Sequence, residues 1–387
     1  VLIRCFAFFG LYRKRKLGRT ENIDRNKLIN LLCEIYKKML EQFGAQPSDS
    51  DIEIYARSKH WNGEIFLNTE PTKIDVNFFT LPQMLYKQFL NRGTRRPSST
   101  LPLIPFEKDK FLSSGEAFSA VWFGHSAILM RMANTTIFID PMLGSNAAPI
   151  SPFPERRFSE GTQDIIGALP ELDLVLLSHD HYDHLDYDSV QRLKGKSKNI
   201  FTALGVGRHL RKWGVDDRKI TEFDWWEDRV FNDVKITFTP SRHFSGRGPN
   251  DRAKSFWGGW VLNTGKENIW FSGDGGYTGH FREIGERLGP FDLGFVECGQ
   301  YSDLWHDIHM YPEESVQAAI DAGVRKAMPV HWGAFALSQH PWTDPPERWV
   351  AEADKKELDY IMPILGATIN LDSEMRTRWW RDGLYSK

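Results

Sequence analysis

Short apolar runs recur from about residue 116 onward, each closed by a turn residue or a polar cluster. Residues 120–123, 127–132 and 136–140 are such runs, separated by Gly124 and by Ala133 and Asn134. Residues 172–177, 199–203, 291–297 and 326–330 follow, and continuous runs of this length read as buried strands. Val234, Ile236 and Phe238 alternate with polar residues, the period-two pattern of a strand. Residues 260–263 and 268–272 predict a hairpin through Gly265. Helices fit at 205–213 and 312–322, the second with Pro312 in its first turn and Gly323 beyond its end. Nearer the start, Leu28, Leu32, Ile35, Met39 and Phe43 share one helical face. With Asp24 as cap and Gly44 as stop, they predict an amphipathic helix over 24–43. Pro71, Pro82, Pro97, Pro102 and Pro105 break up the stretch 45–110. The chain thus divides into an apolar–basic segment at 1–20, an extension wrapping the core at 21–115, and a main α/β domain at 116–387.

Polar residues able to bind metal follow the strands directly. The run 172–177 leads into His179, 234–239 into His243, 268–272 into Asp274 and 326–330 into His331. The densest cluster is Ser178-His179-Asp180-His181-Tyr182-Asp183-His184. So many polar groups right after a buried strand give no stability, because each must be solvated or paired. They do suit zinc, which takes imidazole nitrogen and carboxylate oxygen and keeps a position open for water in catalytic sites. On an extended loop His179 and His181 point the same way and share one ion, while Asp183 and His184 serve a second. His243 then completes the first group, His331 the second, and Asp274 bridges the two. A water between two zinc ions has a pKa near ~7, which makes hydroxide available for attack at neutral pH. His125, His209, His280 and His340, taken singly, read as hydrogen-bonded structural residues.

Composition narrows the field. With 41% hydrophobic and 26% charged residues the chain is globular and has a sizeable core. A net charge of −2 gives no global case for nucleic acid. Three cysteines, Cys5, Cys33 and Cys298, argue against a disulfide scaffold or a thiolate zinc site, and Cys298 reads as a buried, inert thiol. Residues 1–12 are apolar, with Phe6, Phe8 and Phe9, and lead into Arg13, Lys14, Arg15 and Lys16. The run is shorter than the ~20 residues that span a bilayer, and its basic residues follow it, the reverse of a secretory signal. It reads equally as an interfacial anchor or a frayed end, and the initial Val1 hints at trimming. A cytoplasmic or peripheral-membrane location is therefore favoured. Trp379 and Trp380 among Arg376, Arg378 and Arg381 offer a second interfacial patch, although packing on the domain is the preferred reading.

The motif His179-x-His181-x-Asp183-His184, followed by His243, Asp274 and His331, resembles the metallo-β-lactamase superfamily. Within it, the chain resembles the branch containing N-acylphosphatidylethanolamine-hydrolysing phospholipase D. Segments carrying that likeness include Trp122-Phe123-Gly124-His125-Ser126, Ile139-Asp140-Pro141, Gly273-Asp274-Gly275-Gly276-Tyr277 and His331-Trp332-Gly333-Ala334-Phe335. The resemblance implies an αββα sandwich with two zinc ions at its edge, held by the ligands named above. It implies a phosphodiesterase of the phospholipase D type that acts on N-acylphosphatidylethanolamine-like lipids through a metal-bridging hydroxide. Asp183 and Asp274 would act in catalysis as ligands, and His309 would stand near the substrate and serve the leaving oxygen. Asp140 would stand behind the ligands and orient the His179 loop. A phospholipid or other small ester is the implied substrate, with a membrane surface as a candidate partner; a homodimer stays open. Residues 299–306 depart from the phospholipase pattern, so a soluble phosphoester, lactone or thioester is the competing substrate. An iron-containing redox or sensor protein on the same fold is the rival class, disfavoured because His181 is retained.

Overall fold

The computed structural model describes residues 40–75, 86, 90, 93–113, 117–148 and 154–381. Two compact units are distinguished, 1–41 and 42–387, and the second is described below. The apolar–basic start and all but the last residues of the helix expected over 24–43 lie outside the described residues.

Two seven-stranded sheets form the second unit. The first contains β1 (Ser119–Trp122), β2 (Ile128–Met132), β3 (Thr135–Ile139), β4 (Leu172–Leu177), β5 (Ser197–Ala203) and β6 (Ile220–Phe223). The second contains β7 (Asp228–Phe231), β8 (Val234–Thr239), β9 (Gly259–Asn263), β10 (Asn268–Phe271), β11 (Phe291–Glu297) and β12 (Val324–Val330). The next strand, β13 (Asp359–Tyr360), joins the second sheet beside β12, and β14 (Thr368–Ile369) returns to the first beside β1. Each sheet changes character halfway. In the first, pairings from β14 to β3 are antiparallel and those from β3 to β6 parallel. In the second, β7 to β10 pair antiparallel and β10 to β13 parallel.

One apolar core joins residues of both sheets. Aromatic contacts cross between them: Phe223 of β6 meets Trp260 of β9 at 5.4 Å, and Phe201 of β5 meets Phe231 of β7 at 5.8 Å. On the outer side the helix Pro312–Asp321 packs on β11 and β12, and the helix Asp344–Lys356 packs on it in turn. These layers explain why β3, β11 and β12 read as continuous apolar runs: both strand faces are covered. Burial of each large side chain there contributes roughly 1.5–3 kcal/mol. The alternation expected of β8 is milder than foreseen, since only Lys235 is exposed. β7, an edge strand with Asp228, Arg229 and Val230 exposed, has no apolar signature to read.

The C-terminal tryptophans pack on the domain. Trp379 stacks on Trp332 at 5.5 Å, and Trp380 is buried with its indole N–H donating to Glu347. Arg378 and Arg381 pair with the same Glu347, and both indoles lie inside the domain. Cys298 is buried and free. No helix among the described residues is long and apolar enough to cross a membrane.

Candidate metal centre

The loop after β4 is built from behind by Asp140, which follows β3 with a left-handed φ of 40°. Its Oδ1 accepts the Ser178 N–H at 2.8 Å, and its Oδ2 accepts the Ser178 hydroxyl at 2.6 Å and His184 Nδ1–H at 2.7 Å. A carboxylate cannot donate, so the bond fixes a proton on His184 Nδ1 and aims Nε2 inward. The Ser178 hydroxyl, its O–H directed at Asp140, accepts His179 Nδ1–H at 2.9 Å. The Ile308 carbonyl accepts His243 Nδ1–H at 3.0 Å, and the Gly299 carbonyl accepts from His331 Nδ1 at 3.4 Å. Four imidazoles thus present Nε2 to one volume. His181 presents Nδ1.

Two groups of donor atoms result. His181 Nδ1 stands 3.0 Å from His179 Nε2 and 3.1 Å from His243 Nε2. Asp183 Oδ2 stands 3.4 Å from His331 Nε2 and 3.7 Å from His184 Nε2. Asp274 lies between the groups, its Oδ2 at 3.0 Å from both His184 Nε2 and His331 Nε2 and 3.9 Å from His179 Nε2. Ligands held tetrahedrally at 2.0–2.1 Å are about 3.3 Å apart, which these separations match. His184 Nε2 and Asp274 Oδ1 are buried without a hydrogen-bond partner, and buried polar atoms of that kind call for one. All seven residues expected as ligands therefore meet at one place, in groups whose donor atoms lie within 4.8 Å of one another.

Charge divides the two groups. Burial, helped by the neighbouring imidazoles, holds His179 and His243 well below the usual histidine range. Burial also lowers His181, to about 4. His331 behaves oppositely: burial opposes its protonation, yet Asp274, Asp183 and Glu297 outweigh it and push its pKa up to about 10. Burial would raise Asp274 and Asp183, but the adjacent imidazoles hold both well below the carboxylate range. These carboxylates demand positive charge, which imidazolium protons or cations supply.

Residues beyond the seven expected ligands complete the site. His125, read alone as structural, donates from Nε2 to Asp183 Oδ2 at 2.7 Å. Its carbonyl accepts the His331 N–H at 3.0 Å, so it steadies two members of one group. The signal available for it was the Gly124-His125-Ser126 segment. Glu297, the last residue of β11, is fully buried. It accepts from His309 Nδ1 at 3.2 Å and from the Met310 N–H at 3.0 Å, and burial pushes its carboxyl pKa up. A charge ending an apolar strand was the clue. His309 stacks on His331 at 5.1 Å and meets His243 edge-on at 5.0 Å, so it touches both groups. His209 is a structural support: its Nδ1 accepts the Ala45 N–H, leaving Nε2–H for Asp180 at 3.2 Å. Asn68 grips the backbone of His243, accepting its N–H at 3.1 Å and donating to its carbonyl at 2.8 Å. Buried Arg247 ties the His243 loop to the metal loop by donating to the carbonyls of Asp180 and Leu185.

The groups open on a cleft of about 340 Å³, whose remaining walls include Ile74, Phe244, Trp305, Ile308 and Leu337.

Residues 135–332 match the family described as the Beta-lactamase superfamily domain. An uncharacterized protein of Mycobacterium tuberculosis is 34% identical over 336 residues, 84% of this chain and 88% of its own. N-acyl-phosphatidylethanolamine-hydrolyzing phospholipase D 1 of Caenorhabditis elegans is 30% identical over 285 residues, 69% of this chain and 80% of its own. Among solved structures, Igni18, a metallo hydrolase of Ignicoccus hospitalis, superposes with a TM-score of 0.50 at 19% identity, covering 66% of this chain and 99% of that one. It shares the fold.

Proposed function

The chain belongs to the β-lactamase superfamily and has its metallo-hydrolase fold; from that premise we propose that it is a zinc-dependent phosphodiesterase acting on N-acylphosphatidylethanolamine-like lipids. In this reading His179, His181 and His243 would hold one ion, Asp183, His184 and His331 would hold a second, and Asp274, within reach of both groups, would serve both. Five imidazoles and two carboxylates without a thiolate form a donor set suited to zinc. When bound, the ion pair would supply Lewis acidity and lower the pKa of water in the cleft to about 7.

The chain's own side chains do the rest. Asp140 and His125 hold the ligand loop in register. His309, with Nδ1 committed to Glu297, keeps Nε2 for the leaving oxygen, to which it donates a hydrogen bond or proton. The apolar walls of the cleft take up the hydrocarbon next to the phosphate. Convergence of the seven donors beside those walls is the observation that carries the reading. The lipid is suggested by the name of the nematode relative.

The test is product analysis by mass spectrometry after incubation with N-acylphosphatidylethanolamine, with and without chelator, alongside metal analysis. Phosphatidic acid and acyl ethanolamide, formed only by protein carrying two zinc ions, are the expected result. Cleavage of soluble esters alone would remove the lipid; two irons and no zinc would remove the hydrolytic metal.

A further inference from the structure

The cleft carries one permanently cationic side chain among the described residues, Arg252. Other arginines nearby are committed. Arg247 is buried away from the cleft lining, with Nε and Nη1 donating to the carbonyls of Gln42, Asp180 and Leu185, and Arg242 is held by Asp307 and the Thr72 hydroxyl. The Arg252 guanidinium instead lies over the Phe244 ring at 4.5 Å. Phe244 meets the His181 ring edge-on, also at 4.5 Å, so two short steps lead from a candidate ligand to the guanidinium. Arg252 is exposed; its partial burial lowers the pKa, and no carboxylate among the described residues opposes that shift.

The backbone on both sides is fixed. The Asp251 carboxylate accepts the N–H groups of Arg247 and Gly248. The Ala253 N–H donates to the Ser245 carbonyl, and the Ala253 carbonyl accepts the Phe66 N–H. Arg252 is thus anchored at its base, braced on an aromatic face, and exposed at the wall of the cleft. A guanidinium so held suits the oxygens of a phosphate, to which it can offer two parallel N–H groups. A neutral carboxylic ester, lactone or thioester offers it no charge.

Resting on the phosphodiesterase reading above, we infer that Arg252 selects an anionic phosphodiester over a neutral ester by binding a non-bridging phosphate oxygen. The ligand is a phosphodiester monoanion, whether in a lipid headgroup or in a soluble molecule.

The experiment compares wild type, Arg252→Gln and Arg252→Lys, each fully metallated. Substrates are bis(4-nitrophenyl) phosphate, 4-nitrophenyl acetate, and N-acylphosphatidylethanolamine in phosphatidylcholine vesicles. Loss of one charged hydrogen bond predicts a roughly 10- to 100-fold fall in kcat/KM for the soluble diester in Arg252→Gln, mainly through KM. That fall should exceed any loss on the acetate at least tenfold, with Arg252→Lys in between. A similar fall on the vesicles assigns recognition to the shared phosphate. Equal losses on diester and acetate, or no loss on the diester, overturn the inference. A loss confined to vesicles also overturns it and makes Arg252 a membrane contact. Should the wild type hydrolyse only the acetate, the phosphodiesterase reading fails by itself. Inhibition of that hydrolysis by inorganic phosphate then decides on Arg252: weaker inhibition of Arg252→Gln supports it, and equal inhibition overturns it.

Discussion

The two donor groups sit side by side yet are built on different principles. The all-imidazole group of His179, His181 and His243 is oriented by neutral acceptors: the Ser178 hydroxyl, the Ile308 carbonyl and the Asn68 side chain on the His243 backbone. The group of Asp183, His184 and His331 contains a carboxylate and is backed by another, Asp140, and by His125. A carboxylate behind an imidazole makes it a stronger base and a better ligand. The mixed group should therefore hold a cation more tightly, and the all-imidazole group should release one first. Asp274 belongs to both and makes the pair a single centre.

The severest way to break this comparison is Asp274→Asn. Losing the shared carboxylate should cost several kcal/mol of charge stabilisation, on the order of 10³-fold in turnover. Metal content should fall at both groups while the circular-dichroism spectrum is unchanged. Wild-type turnover in this variant would falsify the shared centre. Next comes His309→Ala, expected to lower turnover about 10²-fold, the lower end for a general acid. Because His309 touches both groups without joining the proposed ligand set, metal content should hold. Atoms of Asp274, Glu297, His309 and His331 also converge within 4.8 Å, so a fall in zinc would make His309 a ligand.

A finer cut pairs Asp140→Asn with Asn68→Ala. The first should weaken metal affinity by about 10- to 100-fold at the mixed group. The second should act less, and only on the all-imidazole group. Chelator titrations of both variants, read as ions per chain, should show opposite orders of release. Identical orders would erase the distinction.

The smallest effect concerns pH. His340 accepts the Gln300 N–H, and the Gln300 amide carries the carbonyl of Phe335 and the N–H of Leu337 in the loop after His331. Burial depresses His340 to about 4. Between its unfolded value of about 6.5 and that pH, the unfolded chain binds a proton that the folded chain does not. Stability should thus fall as pH drops from 6.5 to 4, and thermal melts of His340→Gln should lose part of that slope.

How legible these features were follows from how each is encoded. The 179–184 cluster is contiguous and has no packing rationale, so it announced itself. His243, Asp274 and His331 are dispersed, but each ends an apolar strand, and that position made them readable. Glu297 occupies the same kind of position and passed unnoticed, because one carboxylate at a strand end has no partner in the sequence. His125 takes its role from a contact with Asp183, far away in the chain, and Arg252 from a loop that folds it back onto Phe244, which no local pattern announces. The interior strands were readable because burial on both faces demands unbroken apolar runs. β7 was not, because its exposed edge tolerates Asp228 and Arg229. The helix Asp344–Lys356 was not among the expected elements, although Pro345 and Pro346 suit its first turn.

The division of labour between the sheets has a last consequence. The first sheet delivers the 179–184 loop, and the second delivers His243, Asp274 and His331. A cation clasped by both would be a rivet through two plates: it would be held only while both are assembled, so its binding free energy would add to their cohesion. Cutting the polypeptide between β6 and β7 should therefore yield two fragments whose reassembly, followed as recovered activity on mixing, depends on the added ion.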